Sequence, residues 1–89
     1  MQEKKLVLSN KLGLHARASM KLTDLAMAYA SHIEIGYHGR WVSAKSIMDV
    51  MVLGACYEQE VTIRAHGDDE EAALLAIAHL IHNRFGELE

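Results

Sequence analysis

Of the six histidines in the chain, His15 has the chemically richest surroundings: it follows Gly13-Leu14 and precedes Ala16-Arg17, where a loop turns into a helix. With His15 as the helix cap, Ala16, Arg17 and Ala18 are the first helical residues, and their backbone N–H groups have no intrahelical acceptors. Such an end carries roughly +0.5 of a charge and binds phosphate readily. Arg17 adds a full positive charge beside it, so the surroundings of the ring are expected to be positive. A phosphoryl group carried by the ring would meet backbone N–H groups and a guanidinium. It would be held without being buried, open to in-line attack by the next acceptor. The N–P bond of a phosphohistidine is labile, which suits a relay. A lone histidine before a helix is more often only a cap, so the rest of the chain must decide.

Ser46 is the second candidate. Ser46-Ile47-Met48-Asp49 places a hydroxyl three residues before an acid, the capping-box spacing. As an N-cap, Ser46 is worth about 1 kcal/mol. The other chemically capable residues read as structural. His79 and His82 share a helix face without an evident third ligand, and no metal site is expected. His32, His38 and His66 fall on strand edges or turns and are expected to face solvent. Cys56 lies in an apolar run and is expected to be buried and inert. Trp41 reads as packing, and no phosphate-binding P-loop is present.

The elements that position these residues follow from hydrophobic periodicity. Residues 4–9 read as a strand with Leu6 and Leu8 on one face. Residues 16–30 read as a helix burying Leu22, Leu25, Ala26 and Tyr29, with Arg17, Met20, Lys21 and Asp24 on another face. Residues 31–37 alternate, with Ile33, Ile35 and Tyr37 inward, and a turn at His38-Gly39 leads to a partner strand over 40–44. A short helix is predicted over 47–53, ended by Gly54. A strand follows over 60–66, then a helix over about 70–85 with Ala73, Leu74, Ile77, Leu80, Ile81 and Arg84 on one side. The order is βαββαβα, an α+β arrangement with three helices on one face of an antiparallel sheet. The long helical crossover makes the first two strands parallel, with another strand between them.

The 89 residues suffice for one domain, taken as 1–89, and the 51% hydrophobic and 24% charged fractions suit a globular chain. The single cysteine excludes an intramolecular disulfide and fits a reducing compartment. The first nine residues have no apolar signal core, and the apolar runs are too short to span a bilayer, so a cytoplasmic protein is expected. The formal net charge of −3 argues against a general nucleic-acid binder. Acids crowd the C-terminal third, from Glu58 to Glu87 and Glu89, while Lys11, Arg17, Lys21 and Lys45 lie in the first half.

Gly13-Leu14-His15-Ala16-Arg17 resembles the active-site segment of the HPr family, the histidine phosphocarriers of the phosphoenolpyruvate-dependent phosphotransferase system. Lys45-Ser46-Ile47-Met48, with Val50-Met51 and Leu53-Gly54, resembles the second signature of that family, in register with the first. The resemblance implies an open-faced β-sandwich, three helices over a four-stranded sheet. It implies that His15 accepts a phosphoryl group on Nδ1 from phosphorylated Enzyme I and donates it to a histidine of an EIIA-type protein, with Arg17 steadying the phosphate. It implies a stoichiometric carrier with no cofactor, not a free-standing enzyme, and nothing requires a dimer. In part of the family the serine matching Ser46 is phosphorylated, which implies an HPr kinase/phosphorylase as a further partner. The sequence departs from the family pattern at Ala18-Ser19, where Pro-Ala is usual. Losing a first-turn proline loosens the turn by about 0.4–1 kcal/mol.

Leu14, Met20, Ile47, Met48 and Met51 form the expected apolar docking patch around His15, because methionine adapts to several partners. Asp24 and Asp49 add acid to that face, where some family members carry lysine. A regulatory carrier of the nitrogen-type branch is the alternative within this class. A small α+β metal- or RNA-binding module is the alternative outside it, and it leaves His15 without a use.

Overall fold

The computed structural model describes residues 1–88; Glu89 lies outside them. The chain builds β1 (Gln2–Val7), α1 (Ala16–Met27), β2 (His32–Tyr37), β3 (Arg40–Ser43), α2 (Ile47–Leu53), β4 (Glu60–His66) and α3 (Glu70–His82), and ends in a 3₁₀ turn at Arg84–Gly86. The strands form one sheet in the order β1-β4-β2-β3. Every neighbouring pair is antiparallel. β1 and β2 both flank β4 and are therefore parallel to each other, as the helical crossover requires. Alternation in β2 and β4 turns Ile33, Ile35, Val61, Ile63 and Ala65 onto one face. There they share a single core with Leu22 and Ala26 of α1, Val50 and Leu53 of α2, and Ala73, Leu74, Ile77 and Ile81 of α3. The opposite sheet face is polar. Trp41 lies flat over Gly36, where a Cβ would come within 2.8 Å of the indole. The Arg64 guanidinium stacks on that indole, 3.6 Å from the ring centroid, and bonds Glu34 at 3.0 Å. Trp41 is thus a packing residue, as its sequence context suggests.

Several boundaries differ from the sequence-based expectation, each for a tertiary reason. β1 begins earlier and stops at Val7, because Leu8 exchanges backbone bonds with Glu58 and Gln59 at the turn before β4. α1 stops at Met27, not residue 30. Ala28 and Tyr29 tighten onto Leu25 and Ala26, and the amides of Ala30 and Ser31 then donate to the Asp69 carboxylate. α3 stops at His82. Arg84 and Phe85 both adopt left-handed backbone, with φ of 56° and 55°, which swings Phe85 into the core and leaves Arg84 exposed. The expectation that Arg84 lies on the buried side is therefore corrected. Cys56 is also corrected. Its neighbour Ala55 takes the buried position, and the thiol is exposed, within 3.2 Å of the Gly54 carbonyl.

Candidate functional site

α1 starts at Ala16 with His15 as N-cap in extended conformation. The first helical bond runs from the Ser19 amide to the His15 carbonyl, 2.9 Å. The imidazole makes no capping bond to its own helix; it points instead at the C-terminal tail. The loop before it is tightly fixed. Gly13 has a positive φ of 62° and packs against backbone; a Cβ there would lie 2.7 Å from the Ala55 carbonyl. The Leu14 amide donates to that same carbonyl at 3.0 Å. Buried Asn10 donates to the Gly13 carbonyl at 2.8 Å, and the Ser19 hydroxyl to the Leu14 carbonyl at 3.2 Å. His15 is thereby presented on a rigid edge beside α2.

The ring opens onto a shallow cleft lined by Lys11, Leu12, His15, Ala16, Arg17 and Glu87. Arg17 is exposed and makes no ion pair among the described residues. Of the expected backbone donors, Ala16 and Arg17 border the cleft, whereas Ala18 is fully buried in the core. Glu87 was not legible in the sequence. Its Oε2 lies 2.5 Å from His15 Nε2, and its Oε1 accepts from Asn10 Nδ2 at 3.1 Å. Partial burial works against ionisation of Glu87, but hydrogen bonds from His15 and Asn10 and the nearby charge of Lys21 hold its carboxyl below the ordinary glutamate value. The positive surroundings expected for His15 are therefore corrected: one carboxylate faces the ring. Lys21 also ties the tail to α1, donating to the Phe85 carbonyl at 2.6 Å.

Ser46 is the N-cap of α2, accepting from the Asp49 amide at 3.4 Å, and Gly54 closes the helix with φ of 70°. Of the expected docking patch, Met20, Ile47, Met48 and Met51 are exposed, and so are Met27 and Val52. Leu14 does not belong to that patch. Its amide bond to Ala55 turns the side chain into the core, where it is 5% exposed. His79 pairs with Asn83 at 2.8 Å, and no group of three metal-ligating side chains occurs among the described residues.

Fold and cleft together define an α+β domain of one helix-backed open sheet that presents the His15 ring at a helix start. The chain matches the family described as "PTS HPr component phosphorylation site" over residues 2–83. It is 49% identical to Phosphocarrier protein HPr of Cupriavidus necator over 89 residues, covering 100% of each chain. It is 44% identical to that of Xylella fastidiosa over 87 residues, 98% of each. It superposes on the crystal structure of HPr-C-His from Thermoanaerobacter tengcongensis with a TM-score of 0.96, at 39% identity over 100% of both chains. The chain belongs to the HPr family of phosphocarrier proteins of the phosphotransferase system.

Proposed function

We propose that His15 accepts a phosphoryl group from phosphorylated Enzyme I and passes it to a histidine of an EIIA-type protein, the chain acting as a stoichiometric cytoplasmic carrier. The observation that carries this reading is the contact of Glu87 with His15 Nε2. An ionised carboxylate only accepts hydrogen bonds, so Nε2 is the protonated nitrogen. Nδ1 keeps its lone pair and is the nucleophile. As the Nδ1–P bond forms, the bond from phosphorus to its donor breaks and the donor takes that electron pair. Transfer onward repeats the exchange, and no proton need move. Arg17 and the amides of Ala16 and Arg17 steady the phosphoryl oxygens, with Lys11 adding charge at the rim. Ser46 caps α2, and its half-exposed hydroxyl is the position at which an HPr kinase/phosphorylase would act. Docking falls to the exposed residues Met20, Ile47, Met48 and Met51. No helix among the described residues is long and apolar enough to cross a membrane, in keeping with a carrier that shuttles between proteins.

Incubation with phosphoenolpyruvate and catalytic Enzyme I, read by intact mass and phosphorus NMR, tests the assignment. One acid-labile phosphoryl group, lost in His15→Ala, is expected. A folded protein left unmodified by both sugar-type and nitrogen-type Enzyme I would sink it. Whichever Enzyme I works identifies the branch.

A further inference from the structure

The docking face has a direction. α1 and α2 pack side by side, and their ends are fixed by two contacts. The loop carrying His15, at the start of α1, bonds to Ala55 just beyond the end of α2. At the other end, Lys45, just before α2, donates through Nζ to the Tyr29 carbonyl beyond the end of α1, 2.8 Å. The helices are therefore antiparallel. Arg17 and Lys11 lie at the His15 end, while Asp24 and Asp49 lie toward the other. At 1.5 Å per helical residue, Asp24 is about 13 Å along α1 from His15.

Both aspartates are exposed and neither makes an ion pair among the described residues. The last turn of α1 holds no basic residue, so the negative pole of its backbone adds to that end. Lys45 is half-buried and turned onto Tyr29. Between the poles lie the exposed Met20 and Met51, and the exposed Met27, Ile47 and Met48 flank the aspartates at the acidic end.

Resting on the carrier reading above, we propose that Asp24 and Asp49 select the partner and set its orientation: the proteins that exchange a phosphoryl group with His15 carry basic side chains about 13 Å from their reactive group, across an apolar strip. An anionic phosphoryl centre at the cationic pole and lysines or arginines at the acidic pole dock in one sense only. Reversed, both poles meet like charge.

The experiment is the initial rate of phosphorylation by phosphoenolpyruvate and Enzyme I purified from the same source, with carrier concentration varied. Asp24→Lys/Asp49→Lys is expected to raise KM about tenfold at low ionic strength while leaving kcat within about twofold. Asp24→Asn/Asp49→Asn falls between, and the difference shrinks as salt rises. Glu60→Lys/Glu71→Lys, with the same change of net charge elsewhere on the surface, leaves KM unchanged. An unchanged or lowered KM in the aspartate reversal overturns the proposal, as does an equal rise in the control pair. Failure of the unaltered protein to be phosphorylated overturns the carrier reading itself.

Discussion

Glu87 Oε2 lies 2.5 Å from His15 Nε2 across 72 positions of sequence, so the His15 ring is held by a side chain distant in sequence. Glu87→Gln keeps the shape but loses the charge that fixes the Nε2–H tautomer. The transfer rate is expected to fall about tenfold, the lower range for partners that orient a functional histidine. The loss should appear in kcat, with KM for Enzyme I little changed, and nitrogen chemical shifts of the ring should show mixed tautomers. A selective rise in KM would assign Glu87 to docking instead. Because the folded carboxyl is held below the ordinary value of 4.5, its contribution to tail anchoring is complete above that pH and is lost as pH falls through the lowered value. A carboxyl-carbon titration of Glu87 reads this directly.

Arg17, like Lys11, is an exposed cation of the cleft, and it is free of ion pairs among the described residues. Arg17→Ala is expected to slow phosphoryl transfer by about 100-fold, the scale for removing one donor to developing phosphoryl charge. Thermal stability should be nearly unchanged, since exposed positions without such partners move stability little. Arg17→Lys restores only part of the rate, because an ammonium lacks the planar fork. Stopped-flow transfer from Enzyme I alongside a melting curve separates the two effects.

Gly13 supports His15 through backbone alone. A side chain there meets the Ala55 carbonyl at 2.7 Å and Cys56 Cα at 2.8 Å, at a φ of 62°. Neither obstacle is a flexible side-chain end, so Gly13→Ala must move the loop. A loss of more than about 1 kcal/mol in chemical denaturation is expected. Transfer through His15 should fall as well, because the Leu14–Ala55 bond that fixes the ring's position is disturbed.

Asp69 joins two distant turns. It accepts from the Ala30 amide at 2.8 Å, the Ser31 amide at 2.9 Å and the Ser31 hydroxyl. The Ser31 hydroxyl, then the Ala30 amide, hold its carboxyl below the usual aspartate value of 3.8. A depressed folded value means the stabilisation is complete above 3.8 and vanishes as pH falls through the lowered value. Asp69→Asn should remove that acid-range step from a pH series of melting temperatures. Ser31→Ala should shrink the step, and the two changes together should be less than additive.

What the sequence disclosed and what it withheld divide along one physical line. α2 and β4 have the boundaries their patterns predict, because local signals set them: Ser46 and Gly54 punctuate α2, and strict alternation marks β4. The start of α1 after His15 was legible from local context too, whereas that context alone read the ring as a cap and only the resemblance to the HPr family singled it out. Elements whose ends are fixed by distant partners were misplaced. α1 ends where Asp69 claims the next amides, and no spacing near residue 28 encodes residue 69. Leu14 and Cys56 exchange their expected environments because one backbone bond to Ala55 decides which side chain turns inward. Glu87 stayed hidden among the acids of the C-terminal third because its approach to His15 follows left-handed backbone at Arg84 and Phe85. Periodicity carries no sign of that conformation in residues other than glycine.

Phe85 converts that unusual backbone into a fixed position for Glu87 beside His15. Its ring is 1% exposed in the shared core, although its φ is 55°. Burial of an aromatic ring offsets the roughly 1–2 kcal/mol that left-handed backbone costs. The Lys21 ammonium donating to the Phe85 carbonyl holds the same turn from outside. Phe85→Ala removes the anchor and leaves a cavity, so a loss of about 3–5 kcal/mol is expected. The local consequence is more specific than the global one. With the ring gone, the turn relaxes and Glu87 withdraws from His15, so the variant should reproduce the kcat defect of Glu87→Gln at temperatures where it remains folded. Lys21→Met tests the same linkage with a smaller effect on the core, since only the external bond is lost. If Phe85→Ala is destabilised yet transfers phosphate at the unaltered rate, the tail does not position the ring, and the Glu87 contact is packing alone.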